Sequence, residues 1–141
     1  MPYATRADIE KLYSSDFVLD LLPSQDGFDQ DAAVARALED AGAEIDAHLS
    51  ARYVVPIPGT PVALRRPAID IAAYIMANAH GRLSETIEER YKSAVKLLER
   101  MADGKAGLGV DEPGVDTGGE GNVSDGAYFS ANERLFGRGN Y

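Results

Sequence analysis

Apolar residues recur at helical spacing along most of this chain, most densely over residues 61–81, PVALRRPAIDIAAYIMANAHG. Leu64, Ala68, Ile71, Ala72, Ile75 and Ala79 share one face there, and Ile69, Ala73 and Met76 add a second. A helix that is apolar nearly all round has to be covered by neighbours. The pattern therefore predicts a buried central helix. It carries Arg65, Arg66 and Asp70 and is shorter than the ~20 apolar residues of a membrane span. Pro67 is expected in or near the first turn, where a missing N–H costs little. Gly81 is the expected stop.

Other helical patterns flank this one. Thr5 caps a short helix running to Leu12 or Tyr13, with Asp8 completing a variant capping box and Ile9, Leu12 and Tyr13 facing inward. Ser15 or Asp16 starts one or two further turns, FVLDLL, which Pro23 ends. After a turn-like SQDGFDQD, Asp29 or Asp31 caps the longest helix, residues 29–53. Its apolar line is Val34, Leu38, Ala41, Ile45 and Leu49, and the small Ala33, Ala37 and Ala41 permit close approach. Glu39, Asp40, Glu44 and Asp46 cover much of the rest as a solvated face. Residues 54–61, VVPIPGTP, form an extended connector because three prolines forbid helix. Ser84 caps a helix over residues 85–103, with Ile87, Tyr91, Ala94, Leu98 and Met101 inward. Its glutamates lie early and its lysines late, which suits the helix dipole. The fold class is all-α, a small bundle of about four helices around the buried central one.

Composition changes at Gly104. Ten of the 14 glycines lie from there onward, and residues 110–126 have almost no large apolar side chain, too few to bury surface and order themselves. The chain divides into a helical domain (1–103), a Gly-rich linker (104–126) and a terminal peptide (127–141). That peptide carries Tyr128, Phe129, Leu135, Phe136 and Tyr141 with Arg134 and Arg138, and reads as a tethered docking segment for another chain.

The formal net charge is −9, from 14 basic and 23 acidic residues. Broad contact with phosphate backbones needs a basic face, so a nucleic-acid-binding module is disfavoured. With no cysteine, disulfide and thiolate chemistry are excluded. The opening MPYATRADIEK lacks an apolar signal-peptide core, and the expectation is a soluble, non-secreted protein.

Candidate chemistry is sparse. Asp26, Asp29 and Asp31 are close together, but a calcium loop begun at Asp26 places Asp31 where glycine belongs and Ala37 where glutamate belongs. GKAGLG at 104–109 lacks the phosphate-loop spacing. His48 and His80 sit on different helices without metal-ligand spacing. Asp70, between two isoleucines, needs a partner if buried, with Arg52, Arg65, Arg66 and Arg82 as candidates. Tyr53, Tyr74 and Tyr91 read as core or interface. No catalytic residue, metal ligand or cofactor site is assigned. The alternative is a small helical enzyme using His48, His80 or Asp70.

The opening MPYATRADIEKLY, then DAAVARALEDAGAEIDAHLSARYVVPIPGTP, RRPAIDIAAYIM, ERYKSAVKLLERMADGKAGLG and the end YFSANERLFGRGNY occur in that order. Together they resemble a family of Mu-like bacteriophage proteins acting at the head–tail junction. The resemblance implies a non-enzymatic structural adaptor in the virion, assembled in the host cytoplasm. Its implied partners are the portal protein, neighbouring copies in a ring of commonly about twelve, and the next head-completion or tail component. DNA is implied only as passing cargo, with no membrane. In such a ring the acids Glu39, Asp40, Glu44 and Asp46 would face the lumen or solvent. Family members carry a more calcium-like DxDGDG run where this chain reads SQDGFDQD.

Overall fold

Four of the five described helices begin where a short polar side chain satisfies one of the first free N–H groups, a contribution of roughly 1 kcal/mol per cap, and the helix that follows Pro61 has no side-chain cap. A computed structural model describes residues 2–109, and among these it has five helices and no strand: α1 (Arg6–Leu12), α2 (Ser15–Leu21), α3 (Gln30–Leu49), α4 (Val62–Ala79) and α5 (Glu85–Ala102). Thr5 and Asp8 close a reciprocal capping box on α1. Asp29 accepts the Ala32 N–H of α3 at 3.0 Å, and Ser84 accepts the Ile87 N–H of α5 at 3.3 Å. α2 starts at Ser15, one of the two expected starts, and its cap is Ser14.

The all-α bundle is built on α4, which packs between α3 and α5 while α1 and α2 lie against it from elsewhere. Leu64, residues 67–73, Met76 and Ala77 of α4 are buried, so most of the doubly apolar pattern is covered, while Ile75 is half-buried and Ala79, in the last turn, is exposed. The inward lines of α3 and α5 hold: Val34, Leu38, Ala41, Ile45 and Leu49 and Ile87, Ala94, Leu98 and Met101 are buried, and Tyr91 is half-buried. On α1 only Ile9 is buried; Tyr13 is half-buried, and Leu12, expected inward, is exposed at the surface. Burying each large aliphatic side chain contributes about 1.5–3 kcal/mol.

Three boundaries differ from expectation. α3 ends at Leu49 rather than Tyr53; the Arg52 and Tyr53 N–H groups both return to the Leu49 carbonyl in a closing turn. α4 starts at Val62, which puts Pro67 in its second turn, where it removes the bond that the Ala63 carbonyl would otherwise accept. Gly104 ends α5 with a left-handed φ of +80°, and the Lys105 N–H reaches back to the Arg100 carbonyl at 2.8 Å. Residues 104–109, which composition groups with the linker, still touch the domain: Leu108 is 5% exposed and belongs to the core.

Arg82 fastens the far end. Its guanidinium donates to the Asp20 and Leu22 carbonyls at 3.0 and 3.1 Å, closing the C-terminus of α2 onto the turn after α4. A cation there meets the unpaired carbonyls and the negative end of the helix dipole.

Candidate functional site

Asp70 lies mid-way along α4 with its side chain 8% exposed, and a buried carboxylate must find donors. Tyr13, the C-cap of α1, donates its hydroxyl to Asp70 Oδ1 at 2.5 Å. Arg66, one turn earlier on α4, places Nε 3.6 Å from Oδ2. Arg90 of α5 lies over the Tyr13 ring, 4.3 Å from its centroid, and Phe17 of α2 packs on the same ring at 4.6 Å. Four helices thus meet around one carboxylate. Burial pushes the Asp70 pKa up, against the opposing pull of the Tyr13 hydroxyl, Arg66 and Arg90. The Tyr13 phenol is also raised, by burial first and then by its bond to Asp70.

Beside this cluster runs a groove of about 400 Å³ between α4 and α5, lined in part by Arg66, Asp70, Glu89, Arg90 and Ser93. Arg66 was among the expected partners of Asp70. Tyr13 and Arg90 were not, since each comes from another helix and no spacing in the chain announces them. The arrangement links a carboxylate to a phenol and a guanidinium, with a second guanidinium over the phenol ring, and so ties α1, α4 and α5 together.

The residues of the enzyme alternative are spread out. Asp70 and His80 are ten positions apart on α4, about 15 Å at the helical rise. His80 caps the end of α4 and meets Phe28 edge-on at 5.4 Å. His48 is in the last turn of α3. In the acidic turn, Asp29 caps α3, and Asp31 takes the Arg6 guanidinium, which also bonds Glu10 at 3.0 Å. Among the described residues no group of three or more His, Asp or Glu side chains is placed to hold a metal ion.

The acidic face of α3 divides in two. Glu39 and Asp40 are exposed. Glu44 instead accepts the Tyr91 hydroxyl at 2.9 Å, and Asp46 accepts the Tyr3 hydroxyl. Tyr3 is buried, and its oxygen accepts the Ile57 N–H at 2.9 Å, which pins the connector to α3. Burial first, then the bonded carboxylate, pushes both Tyr3 and Tyr91 up to about 12. Tyr74 stacks on Tyr91 at 4.0 Å, and Tyr53 is in the core. The docking residues Tyr128, Phe129, Arg134, Leu135, Phe136, Arg138 and Tyr141 lie outside the described residues.

Comparison with known proteins adds three findings. The family model for bacteriophage Mu Gp36 matches residues 3–125. The chain is 35% identical over 114 residues to gene product J of Escherichia phage Mu, covering 79% of each. It is 32% identical over 112 residues to the Mu-like prophage FluMu protein gp36 of Haemophilus influenzae, covering 78% of this chain and 77% of that one.

Proposed function

Because this chain belongs to the bacteriophage Mu Gp36 family, we propose that it is a structural head–tail adaptor of a tailed phage. The helical domain packs side by side with copies of itself in a ring of about twelve, a closed cyclic assembly. The ring sits on the portal protein and offers its other side to the next head-completion or tail component, and DNA passes through. The protein acts at the head–tail junction of the virion and awaits assembly in the host cytoplasm. The terminal peptide, residues 127–141, docks on a neighbour, with Phe129, Leu135 and Phe136 as apolar anchors and Arg134 and Arg138 setting register.

The observation that supports this reading over catalysis is where the partly and fully buried carboxylates go. Asp70, Asp46 and Glu44 each take a tyrosine hydroxyl from a different part of the chain. Each bond ties two elements together, which suits a rigid building block. Glu39 and Asp40 remain exposed on α3; if they face the lumen, they repel phosphates and keep DNA from sticking in transit.

Electron microscopy of the full chain mixed with the portal protein of the same phage tests this. A ring of this protein seated on the portal is the expected result. Portals that stay bare, at concentrations where the domain is folded, would remove the adaptor reading.

A further inference from the structure

Val62, in the first turn of α4, is 71% exposed, the highest value among the large apolar side chains left at the surface of the described residues. Two apolar depressions meet on it. One, of about 310 Å³, is formed by Leu12, Val62 and Ile69 and rimmed by Lys11, Arg65 and Arg66, with Asp8 beside them. The other is walled by Pro58, Pro61, Val62 and Leu108 and reaches Gly109. The rim is cationic on a chain of net charge −9. Lys11 and Arg65 form no ion pair among the described residues. The Asp8 carboxylate accepts the Thr5 N–H at 2.9 Å, and from the side of α1 its charge is felt by Arg65 and Lys11, without an ion-pair contact to either.

Gly109 is the last described residue, so the chain leaves the domain on the wall of the second depression. Residues 110–116 continue the chain from that wall with the sequence VDEPGVD: Asp111, Glu112 and Asp116 supply charge, Val110 and Val115 supply apolar contact, and no cation is present. Glu120 and Asp125 extend the acidic run to residue 126, still without Lys or Arg. Glu112 precedes a proline, which biases it to extended backbone. An extended chain advances about 3.3 Å per residue, and Val62 and Arg66 are about one helical turn apart, roughly 6 Å. A few residues beyond Gly109 are enough to reach the cationic rim.

We propose that residues 110–116 dock on their own domain as an acidic strap. Val110 and Val115 lie on Val62 and Leu12, and the carboxylates face Lys11, Arg65 and Arg66. Exposed ion pairs of this kind are individually weak. The tether supplies a high local concentration that makes their sum effective. Docking is therefore intramolecular and weakens with salt. The proposal does not depend on the adaptor reading and concerns the protein before any partner is added.

The absence of native cysteine allows a direct test. Val62→Cys in the full chain is alkylated with iodoacetamide, with and without the triple change Asp111→Asn, Glu112→Gln and Asp116→Asn. Ala43→Cys, on the exposed side of α3, serves as control. Alkylation at position 62 is expected to be about fivefold slower in the acidic chain, because only the undocked fraction reacts. Neutralisation or high salt should abolish the difference, and dilution should leave it unchanged. Hydrogen exchange of the otherwise unaltered chain, with and without the triple change, gives the second readout: residues 110–116 should lose protection when neutralised. Equal alkylation and equal exchange would overturn the strap. Protection that disappears on dilution would overturn it too, by assigning the face to a second copy.

Discussion

Tyr3 and Tyr91 are the residues whose ionisation the fold resists most plainly. Each phenol is moved from its ordinary 10.0 to about 12, by burial and by a carboxylate that accepts its proton in a hydrogen bond. The folded chain thus holds these protons more tightly than the unfolded chain. Their contribution is complete below pH 10, and it is lost as pH climbs from 10 toward about 12. Thermal melts from pH 8 to 11.5 should show a midpoint that begins to fall near pH 10. Tyr91→Phe loses the bond to Glu44, so it should be about 1 kcal/mol less stable at neutral pH. Its alkaline decline should be shallower than that of the parent. Parallel declines would mean that Tyr91 is not among the groups responsible.

At the scale of the helices, stability resides in the inward lines and is trimmed by the caps. Leu98 of α5 is fully buried in the bundle core. Leu98→Ala should cost about 2–5 kcal/mol by urea denaturation, because the neighbours cannot close the gap. Thr5→Ala removes one cap from a seven-residue helix and should cost about 1 kcal/mol. A Leu98→Ala effect no larger than the Thr5→Ala effect would show that α5 is not seated on α3 and α4 as described. Gly104 sets the end of the same helix. A Cβ there would lie 2.7 Å from Arg52 Nη1, and φ is +80°. The left-handed backbone is what requires glycine at that turn, since the Arg52 guanidinium ends a flexible side chain that can move aside.

For the whole molecule, the helical bundle already has a continuous core among the described residues 2–109, which runs from Tyr3 to Leu108. Deleting residues 127–141 should therefore leave helical content and melting behaviour nearly unchanged. If the terminal peptide docks on a neighbour, the same deletion should prevent stable joining of heads to tails. Phe136→Ala should do part of that damage and Arg138→Ala less, because apolar anchors carry affinity while exposed charges mainly set register. Circular dichroism of the shortened chain, with complementation of a phage defective in this protein, separates the possibilities. Infectious particles at normal yield would sink the docking role. Loss of fold would show that the peptide belongs to its own core.

The sequence by itself determined what is local. Helix positions follow from apolar spacing, and the caps Thr5, Asp29 and Ser84 follow from side chains that reach an N–H three residues on. The doubly apolar 61–81 stretch had to be central, because a helix without a polar face has no side to give to water. The positions of Ser14 and Pro67 were legible only to within a turn, since several nearby residues satisfy the same local rule. What the tertiary structure alone decided is how the polar groups pair. Tyr3 with Asp46, Tyr91 with Glu44 and Tyr13 with Asp70 are 43, 47 and 57 residues apart. Asp70 could be recognised from its isoleucine neighbours as a carboxylate in need of a donor. Which donor it received depended on where α1 crosses α4. That crossing is fixed by the packing of side chains from several helices at once, and no spacing within one segment encodes it.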